Sequence, residues 1–461
     1  MIQNHTFHAT VLREYDVRGV VGDTLSMADA YAVGRSFGSI VAREAGRRVA
    51  VGYDGRLSSI EMADHLVRGL NDAGIDALRI GRGPTPMLYF SVYHLQADAG
   101  VMITGSHNPA EYNGFKMMVG GKAFFGDQIQ ELGRLAMAGA WARGEGGSKH
   151  HDVRPAYLEE LVAAYTTEIP LSVAWDCGNG VAGDILPDLI ARLPGHHIAL
   201  NEVVDGTFPA HHPDPTVAEN LVQLQATVRQ NNLDMGIGFD GDGDRIGVVD
   251  GRQRILWGDQ LLAILARDVL AERPGSTIIA DVKASQVLFD EVARLGGKPL
   301  MYRTGHSLIK NKMAETGAPL AGEMSGHIFF ADKYYGFDDA LYAAVRFLDT
   351  VARSGQSVAA LRDNLPQMVN TPEIRFDCDD ARKFKVVDEV VAELRAQCAE
   401  FSDIDGARVS TPDGWWLLRA SNTQPALVVR CEAGDEAGLV RLKEAVTTAL
   451  APCGVTPPVD S

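Results

Sequence analysis

A chain of 461 residues is longer than one hydrophobic core organises, so length predicts about three or four domains. Hydrophobic residues make up 46% and charged residues 22%, which excludes a disordered chain. Forty-three Lys plus Arg against sixty Asp plus Glu leave a formal charge of −17, a field that repels nucleic acid and anionic membranes and obliges an anionic ligand to find a locally basic site.

From the N-terminus, MIQNHTFHATVLREYD has no apolar run fit for a signal peptide, and no later segment approaches the ~20 apolar residues of a membrane span. Cys177, Cys378, Cys398, Cys431 and Cys453 are scattered and never spaced C-x-x-C, so they read as incidental thiols in a cytoplasmic protein. The pairs His150-His151, His196-His197 and His211-His212 lack partners at ligand spacing and read as loop histidines.

Three times an apolar, β-branched strand runs into Asp and a small-residue loop: RRVAVGYDGRLSS, LSVAWDCGNGVAGD and STIIADVKASQVL. Helical apolar spacing follows, as from Ile60 to Leu70 and from Gln286 to Leu295, which predicts a repeated α/β unit. Each unit has a later strand leading into a polar loop: GVMITGSHNP, MGIGFDGDGDR and PLAGEMSGH. Ligands bind at the carboxyl ends of strands in open α/β sheets, so three similar mixed α/β domains offer three chemical loops. Beyond PQMVNTP the order changes to a strand-like TPEIRFD, a helix from Phe384 to Ala399, strands near Trp415 to Leu418 and Ala426 to Cys431, and a last helix. That mixture predicts a smaller C-terminal α+β domain. The expected domains are 1–150, 151–255, 256–367 and 368–461.

The first loop, Thr104-Gly-Ser106-His-Asn-Pro109, precedes NGFK, which ends at Lys116. A serine hydroxyl is a weak nucleophile unless activated or already phosphorylated. G-x-S-x-G would need glycine at Thr104 and Asn108, and S-x-x-K at Ser307 to Lys310 lacks its companion motifs, so hydrolase chemistry fits poorly. Spacing alone leaves a structural turn open here.

The second loop, Asp240-Gly-Asp242-Gly-Asp244-Arg245, alternates carboxylates with glycines, so the backbone can turn hard oxygens toward one point, a donor set suited to Mg2+. An EF-hand starting at Asp240 would want Gly and Glu where Arg245 and Gly251 stand. The G-x-G-x-x-G match from Gly236 to Gly241 is followed by RIGVVD, a strand and not the helix that dinucleotide binding requires.

The third loop, Gly322-Glu323-Met324-Ser325-Gly326-His327, offers a carboxylate, a hydroxyl and an imidazole to hydroxyl groups, or is a plain surface turn. The last, Arg419-Ala420-Ser421-Asn422-Thr423-Gln424-Pro425, joins a forked cation to hydroxyls, an amide and turn N–H groups, the composition of a phosphate clamp. No Walker A pattern accompanies it.

With all four loops in order, and with Tyr15-Asp-Val-Arg18-Gly before them, the sequence resembles the α-D-phosphohexomutase family over essentially its whole length, most closely the bacterial phosphomannomutase/phosphoglucomutase branch. The resemblance implies four domains around a central cleft and an isomerase that interconverts hexose 1-phosphates and hexose 6-phosphates through a hexose 1,6-bisphosphate. It implies that Ser106 is the phosphoserine, that Asp240, Asp242, Asp244 and the phosphoryl group on Ser106 bind Mg2+, that Glu323 to His327 meet sugar hydroxyls, and that Arg419 to Thr423 bind the phosphate not being transferred. Tyr15, Arg18, Lys116, Arg245, Lys283 and His306 occupy further cleft positions. His327 and Lys116 are both candidates for general acid and base. Mannose and glucose phosphates are the expected substrates. The alternatives are glucosamine phosphate, whose family members usually carry Gln where Met324 stands, a phosphatase, and a non-catalytic phosphosugar-binding protein. A monomer without nucleic-acid or membrane partners is expected.

Overall fold

The computed structural model describes residues 4–422 and 424–458. Its repeated unit is one strand order used three times. In the first sheet, Arg48–Tyr53 lies parallel to Asp76–Arg82 on one side and to Ala99–Ile103 on the other. Ala99–Ile103 then pairs antiparallel with Tyr112–Val119. Leu171–Asp176, Gly195–Leu200, Met235–Phe239 and Ile246–Asp250 repeat this pattern, as do Thr277–Asp281, Lys298–Tyr302, Leu320–Gly322 and Ile328–Phe330. The serine, acidic and Glu323 loops each connect the third strand of a unit to its antiparallel fourth. All three therefore leave their sheets at the carboxyl end of a parallel strand, where backbone polar groups remain available to a ligand.

The central strands are apolar on both faces because helices cover both, as parallel sheets require. Helix Thr85–His94 is buried from Thr85 to Val92, consistent with a sequence apolar on every side. It contributes Met87, Leu88 and Phe90 to one continuous core that also contains Trp175, Ile237 and Phe239 of the second unit and Ile278, Leu341 and Phe347 of the third. The first three units are thus fused through their hydrophobic interior. The fourth sheet is entirely antiparallel, with Ala426–Ala433 and Gly414–Ala420 at its centre. Val386, Trp416, Leu418, Val429, Leu442 and Val446 give it a core of its own. Its apolar contact with the third unit is small, Trp415 and Leu417 against Val282.

Three local expectations need correction. After Leu171–Asp176 the chain forms a short 3-10 turn, Val181–Asp184, and a five-residue helix, Leu186–Ile190, because Gly178, Gly180 and Gly183 disfavour a longer helix. His150 closes strand Ser148–His150, and His196 and His197 lie on strand Gly195–Leu200, all three instead of in loops; the Trp175 indole donates to His197 Nδ1 at 3.2 Å. The first helix of the C-terminal domain spans Asp380–Ala396 where Phe384 to Ala399 was expected; it starts four residues early because the Asp379 side chain caps it by accepting from Ala381 N at 2.8 Å.

Helices Met27–Arg43 and Ser59–Asp72 cross where both are glycine. A Cβ on Gly34 would stand 2.2 Å from the Leu66 carbonyl oxygen, and one on Gly69 would stand 2.3 Å from that of Tyr31. Gly34→Ala is therefore expected to cost ~1–3 kcal/mol through overpacking, read as a lower midpoint in urea unfolding; an unchanged midpoint would contradict this crossing.

Candidate active site

Ser106 sits in a left-handed conformation, φ 51°, which a side-chain-bearing residue adopts at a cost of ~1–3 kcal/mol when its surroundings enforce it. The enforcing group is Arg56. Its guanidinium donates to the Ser106 carbonyl at 2.8 Å, Asn108 at 2.5 Å and Tyr112 at 2.9 Å, and also to Pro109. Asp54 orients Arg56 through Nε at 3.2 Å and accepts the Gly105 N–H at 3.0 Å. Both residues are buried.

This arrangement has a partner in the third unit. The strand-end Asp281 accepts the Met324 N–H at 3.1 Å, so the aspartate that closes the first strand of a unit holds the backbone of that unit's chemical loop. The second unit does it differently: Val181 N donates to the Gly241 carbonyl at 3.1 Å, while Asp176 pairs with His211 at 2.9 Å. Gly241 is where the serine and acidic loops meet, since a Cβ there would lie 2.5 Å from the Ser106 carbonyl oxygen.

That contact places Ser106 Oγ 3.2 Å from Asp240 Oδ2. Asp240, Asp242 and Asp244 are fully buried and offer ligand oxygens within 4.8 Å of one another. Lys116 Nζ bridges them, 2.7 Å from Asp242 and also paired with Asp244. Thr85 Oγ1 donates to Asp242 at 2.5 Å, and its N–H donates to the Asp242 carbonyl at 2.8 Å, so the positive end of helix Thr85–His94 abuts the acidic loop. Burial, reinforced by Asp242 and Asp244, pushes the Asp240 carboxyl well above its ordinary range. Burial alone would lower the Lys116 amine, but Asp242, Asp244 and Asp240 outweigh it and hold it high.

Arg245 Nε donates to His327 Nε2 at 3.0 Å. Glu323 accepts the Gly305 N–H at 2.7 Å, and burial raises its carboxyl. Tyr15 crosses from the first unit, donating to the Thr304 carbonyl at 3.1 Å and accepting from Asn422 Nδ2 at 2.8 Å. Arg18 donates to the Gly105 carbonyl. Segments of the three repeated units and of the C-terminal domain thus meet around one site.

Models of the phosphoglucomutase/phosphomannomutase α/β/α domains I, II and III match residues 9–140, 155–253 and 257–369, and that of the C-terminal domain matches 373–449. The chain belongs to the phosphoglucomutase/phosphomannomutase family. It is 44% identical over 438 residues, 95% of each chain, to a phosphomannomutase/phosphoglucomutase of Pseudomonas aeruginosa. A phosphoglucomutase of Neisseria gonorrhoeae is 42% identical over 94% of this chain and 95% of its own. The crystal structure of a phosphoglucomutase/phosphomannomutase family protein from Burkholderia thailandensis superposes with a TM-score of 0.93 at 41% identity, covering 98% of this chain and 99% of that one.

For a member of this family, the acidic loop meets a simple fit test. Asp242 Oδ1 and Asp244 Oδ1 are buried without a hydrogen-bond partner among the described residues, an arrangement a hard divalent cation would satisfy. On the opposite side of the cleft, two cations are already engaged: Arg419 Nε donates to Asp405 at 3.0 Å, and Lys283 pairs with Glu373 at 2.6 Å. Ala420 and Ser421 are buried beside Arg419, Ser325 and Gly326 complete the Glu323 loop, and Thr423 lies outside the described residues. Sequence reasoning missed Arg56, Asp54 and Thr85. The Asp closing each first strand was the visible signal for the first two; nothing local marks Thr85.

Removing the Arg56 cation takes a donor from four loop carbonyls and strips the buried Asp54 carboxylate of its ion-pair partner, leaving it the Ser59 hydroxyl at 2.5 Å and the Gly105 N–H at 3.0 Å. Arg56→Met is expected to cost ~3–5 kcal/mol in urea unfolding, the scale of breaking a buried ion pair from one side; a loss below ~1 kcal/mol would contradict its bracing role.

Burial, helped by Lys310, lowers His306 to about 4. Its unfolded value is ~6.5, so its contribution to stability is present above pH ~6.5 and is lost as pH falls toward 4, a slope worth ~3 kcal/mol in all. His306→Gln should flatten acid destabilisation over that window in urea titrations at stepped pH; an unaltered slope would contradict a neutral buried ring.

Proposed function

We propose that this chain isomerises mannose and glucose 1-phosphates and 6-phosphates reversibly, carrying the transferred phosphoryl group on Ser106 and passing through a hexose 1,6-bisphosphate. The carrying observation is Ser106 Oγ at 3.2 Å from Asp240, at the mouth of three enclosed carboxylates. The chain is an isomerase of hexose phosphates, in agreement with relatives at 42–44% identity named for that activity. The proposed domains are 1–150, with the phosphoserine loop, 151–255, with the metal loop, 256–367, with the sugar loop, and 368–461, with the phosphate loop.

Phosphoryl transfer passes through a loose transition state with charge spread over equatorial oxygens, so the protein's task is positioning and neutralisation. Asp240, Asp242, Asp244 and the phosphoryl group on Ser106 would hold Mg2+, which when bound offsets negative charge on that group. Lys116 and Arg245 supply fixed positive charge on its other sides. The left-handed turn at Ser106 presents Oγ to the cleft, and Arg56 keeps it there. A sugar hydroxyl attacks phosphorus, the bond to Ser106 Oγ breaks, and the hydroxyl proton passes to a base, His327 or Lys116.

Glu323, Met324, Ser325, Gly326 and His327 meet the sugar hydroxyls. Arg419, Ala420, Ser421, Asn422 and Thr423 bind the distal phosphate, with Arg419 exchanging Asp405 for a dianion. Tyr15, Arg18, Lys283 and His306 line the cleft between them. The bisphosphate then turns end for end and returns its other phosphoryl group to Ser106, so no phosphate is consumed and added bisphosphate activates unphosphorylated enzyme. The cleft is assembled within one chain, which supports a monomer acting on small-molecule hexose phosphates. Five free cysteines and the absence, among the described residues, of a helix long and apolar enough to cross a membrane support a cytoplasmic setting.

Initial rates with glucose 1-phosphate, mannose 1-phosphate and glucosamine 1-phosphate, run beside inorganic phosphate release, test this reading. Isomerisation of the first two should exceed both the amino sugar rate and phosphate release by at least tenfold. Preference for glucosamine 1-phosphate would overturn the substrate assignment, and release faster than isomerisation would overturn mutase chemistry.

A further inference from the structure

The acidic loop is held by backbone donors from all three repeated units. Three consecutive carbonyls take part: Gly241 accepts from Val181 N at 3.1 Å, Asp242 from Thr85 N at 2.8 Å and Gly243 from Ala340 N at 3.3 Å. Each donor is the first residue of its element, the 3-10 turn Val181–Asp184, helix Thr85–His94 and helix Ala340–Ser354. The N–H groups that open a helix have no partner within it, and here the loop carbonyls supply one. Of the three donors, Thr85 is the one with a polar side chain, and it is fully buried.

The carboxylate oxygens of the loop divide into two sets. Asp240 Oδ1 accepts the N–H groups of Asp244 and Arg245 at 3.0 and 3.1 Å. Asp242 Oδ2 accepts from Thr85 Oγ1 at 2.5 Å and from Lys116 Nζ at 2.7 Å, and Asp244 Oδ2 accepts from Lys116 as well. One oxygen of each aspartate is thereby committed to the protein. On the other side stand Asp240 Oδ2, 3.2 Å from Ser106 Oγ, and Asp242 Oδ1 and Asp244 Oδ1, which are buried without a hydrogen-bond partner among the described residues. These are the oxygens a hard cation would take, one from each carboxylate.

The two groups on Asp242 Oδ2 differ in kind. Lys116 carries a charge that opposes a nearby dication, whereas the Thr85 hydroxyl is neutral and seated on the buried start of a helix. A partner that orients a metal ligand without competing with the metal raises affinity by holding the ligand ready. We propose that Thr85 is a positioning residue for the divalent cation: its hydroxyl holds Asp242 by Oδ2 and so presents Oδ1, while its N–H holds the backbone of the same residue. The inference rests on the reading of Asp240, Asp242 and Asp244 as a metal loop. The unit that carries Ser106 thereby sets the cation affinity of a loop in the next unit.

Substitutions at this position separate orientation from packing. Thr85→Ser and Thr85→Ala differ from each other by one oxygen atom, and Thr85→Val keeps the shape of threonine without its hydroxyl. All three retain the N–H that meets the Asp242 carbonyl. A role in packing alone would place Thr85→Val nearer to wild type than Thr85→Ser; a role at the carboxylate reverses that order.

Mn2+ binding to full-length, unphosphorylated wild type, Thr85→Ser, Thr85→Ala and Thr85→Val, followed by electron paramagnetic resonance of the free ion, reads the effect without turnover. Thr85→Ser should bind within about threefold of wild type, and Thr85→Ala and Thr85→Val about ten- to a hundredfold more weakly, the usual scale for losing the partner of a metal ligand. The Mg2+ concentration that gives half of each variant's own maximal rate with glucose 1-phosphate should rise in the same order, with KM for the sugar phosphate at saturating Mg2+ changed less than about threefold. Equal Mn2+ affinity in wild type and Thr85→Ala, or a loss in Thr85→Ser as large as in Thr85→Ala, would overturn the proposal and leave the metal loop standing. A wild type that binds no Mn2+, or binds it equally well after Asp242→Ala, would overturn the metal loop and the proposal with it. The comparison of Thr85→Ser with Thr85→Ala decides the inference even where Thr85→Val fails to fold.

Discussion

Three carboxylates closed into one dry turn repel each other and each loses its hydration, a combination that is unfavourable by several kcal/mol unless positive charge is built around it. Asp240, Asp242 and Asp244 are in that position, and much of the surrounding structure answers to it. Lys116 reaches in from the antiparallel strand of the first unit, Thr85 brings a helix N-terminus, and Arg245 follows directly in the loop. Lys116 and Thr85 meet the acidic loop only because the first two units fuse through a common interior. The acidic loop thus needs the domain assembly as much as the assembly needs a site to surround.

The same constraint explains how an acidic protein can accept anions. In a chain of formal charge −17, Arg18, Arg56, Lys116, Lys283 and Arg419 are buried around the cleft. Several of these cations are already matched with carboxylates, Arg419 with Asp405 and Lys283 with Glu373. Such pairs keep the charges oriented without leaving them bare, and a phosphate dianion competes for them with greater charge. The fourth domain carries much of this exchange. It has a separate core, and its seat on the third unit is largely polar, with Arg408 donating to the Val282 and Ala284 carbonyls at 2.6 and 2.8 Å. A polar seat allows small relative motions that a shared apolar core would forbid.

Much of this was legible in the sequence because strands that end in Asp and loops that begin with glycine leave local traces. The α/β repeat, the C-terminal change of order and the polar loops all follow from periodicity and turn chemistry. The resemblance then joined loops that no spacing argument connects, such as Ser106 with Asp240. What stayed hidden depends on distance in space. Arg56 braces the serine loop from fifty residues upstream, Thr85 reaches an aspartate in another unit, and Asp338 faces histidines from two separate segments. The pairing of Arg419 with Asp405 was equally invisible, since it joins strand Gly414–Ala420 to the turn before Ala407–Thr411. The short turn after Leu171–Asp176 departs from its counterparts because glycines make a longer helix costly, a local cause that the repeat pattern overrode in the reading.

The central claim is that Ser106 carries the phosphoryl group through each turnover, and single-turnover label transfer tests it most directly. Enzyme radiolabelled with phosphate on Ser106, mixed with excess unlabelled glucose 1-phosphate and stopped at intervals, should lose its label to hexose bisphosphate and then to hexose monophosphate at the rate of isomerisation. Isomerisation that proceeds while the label stays on the protein would contradict the account.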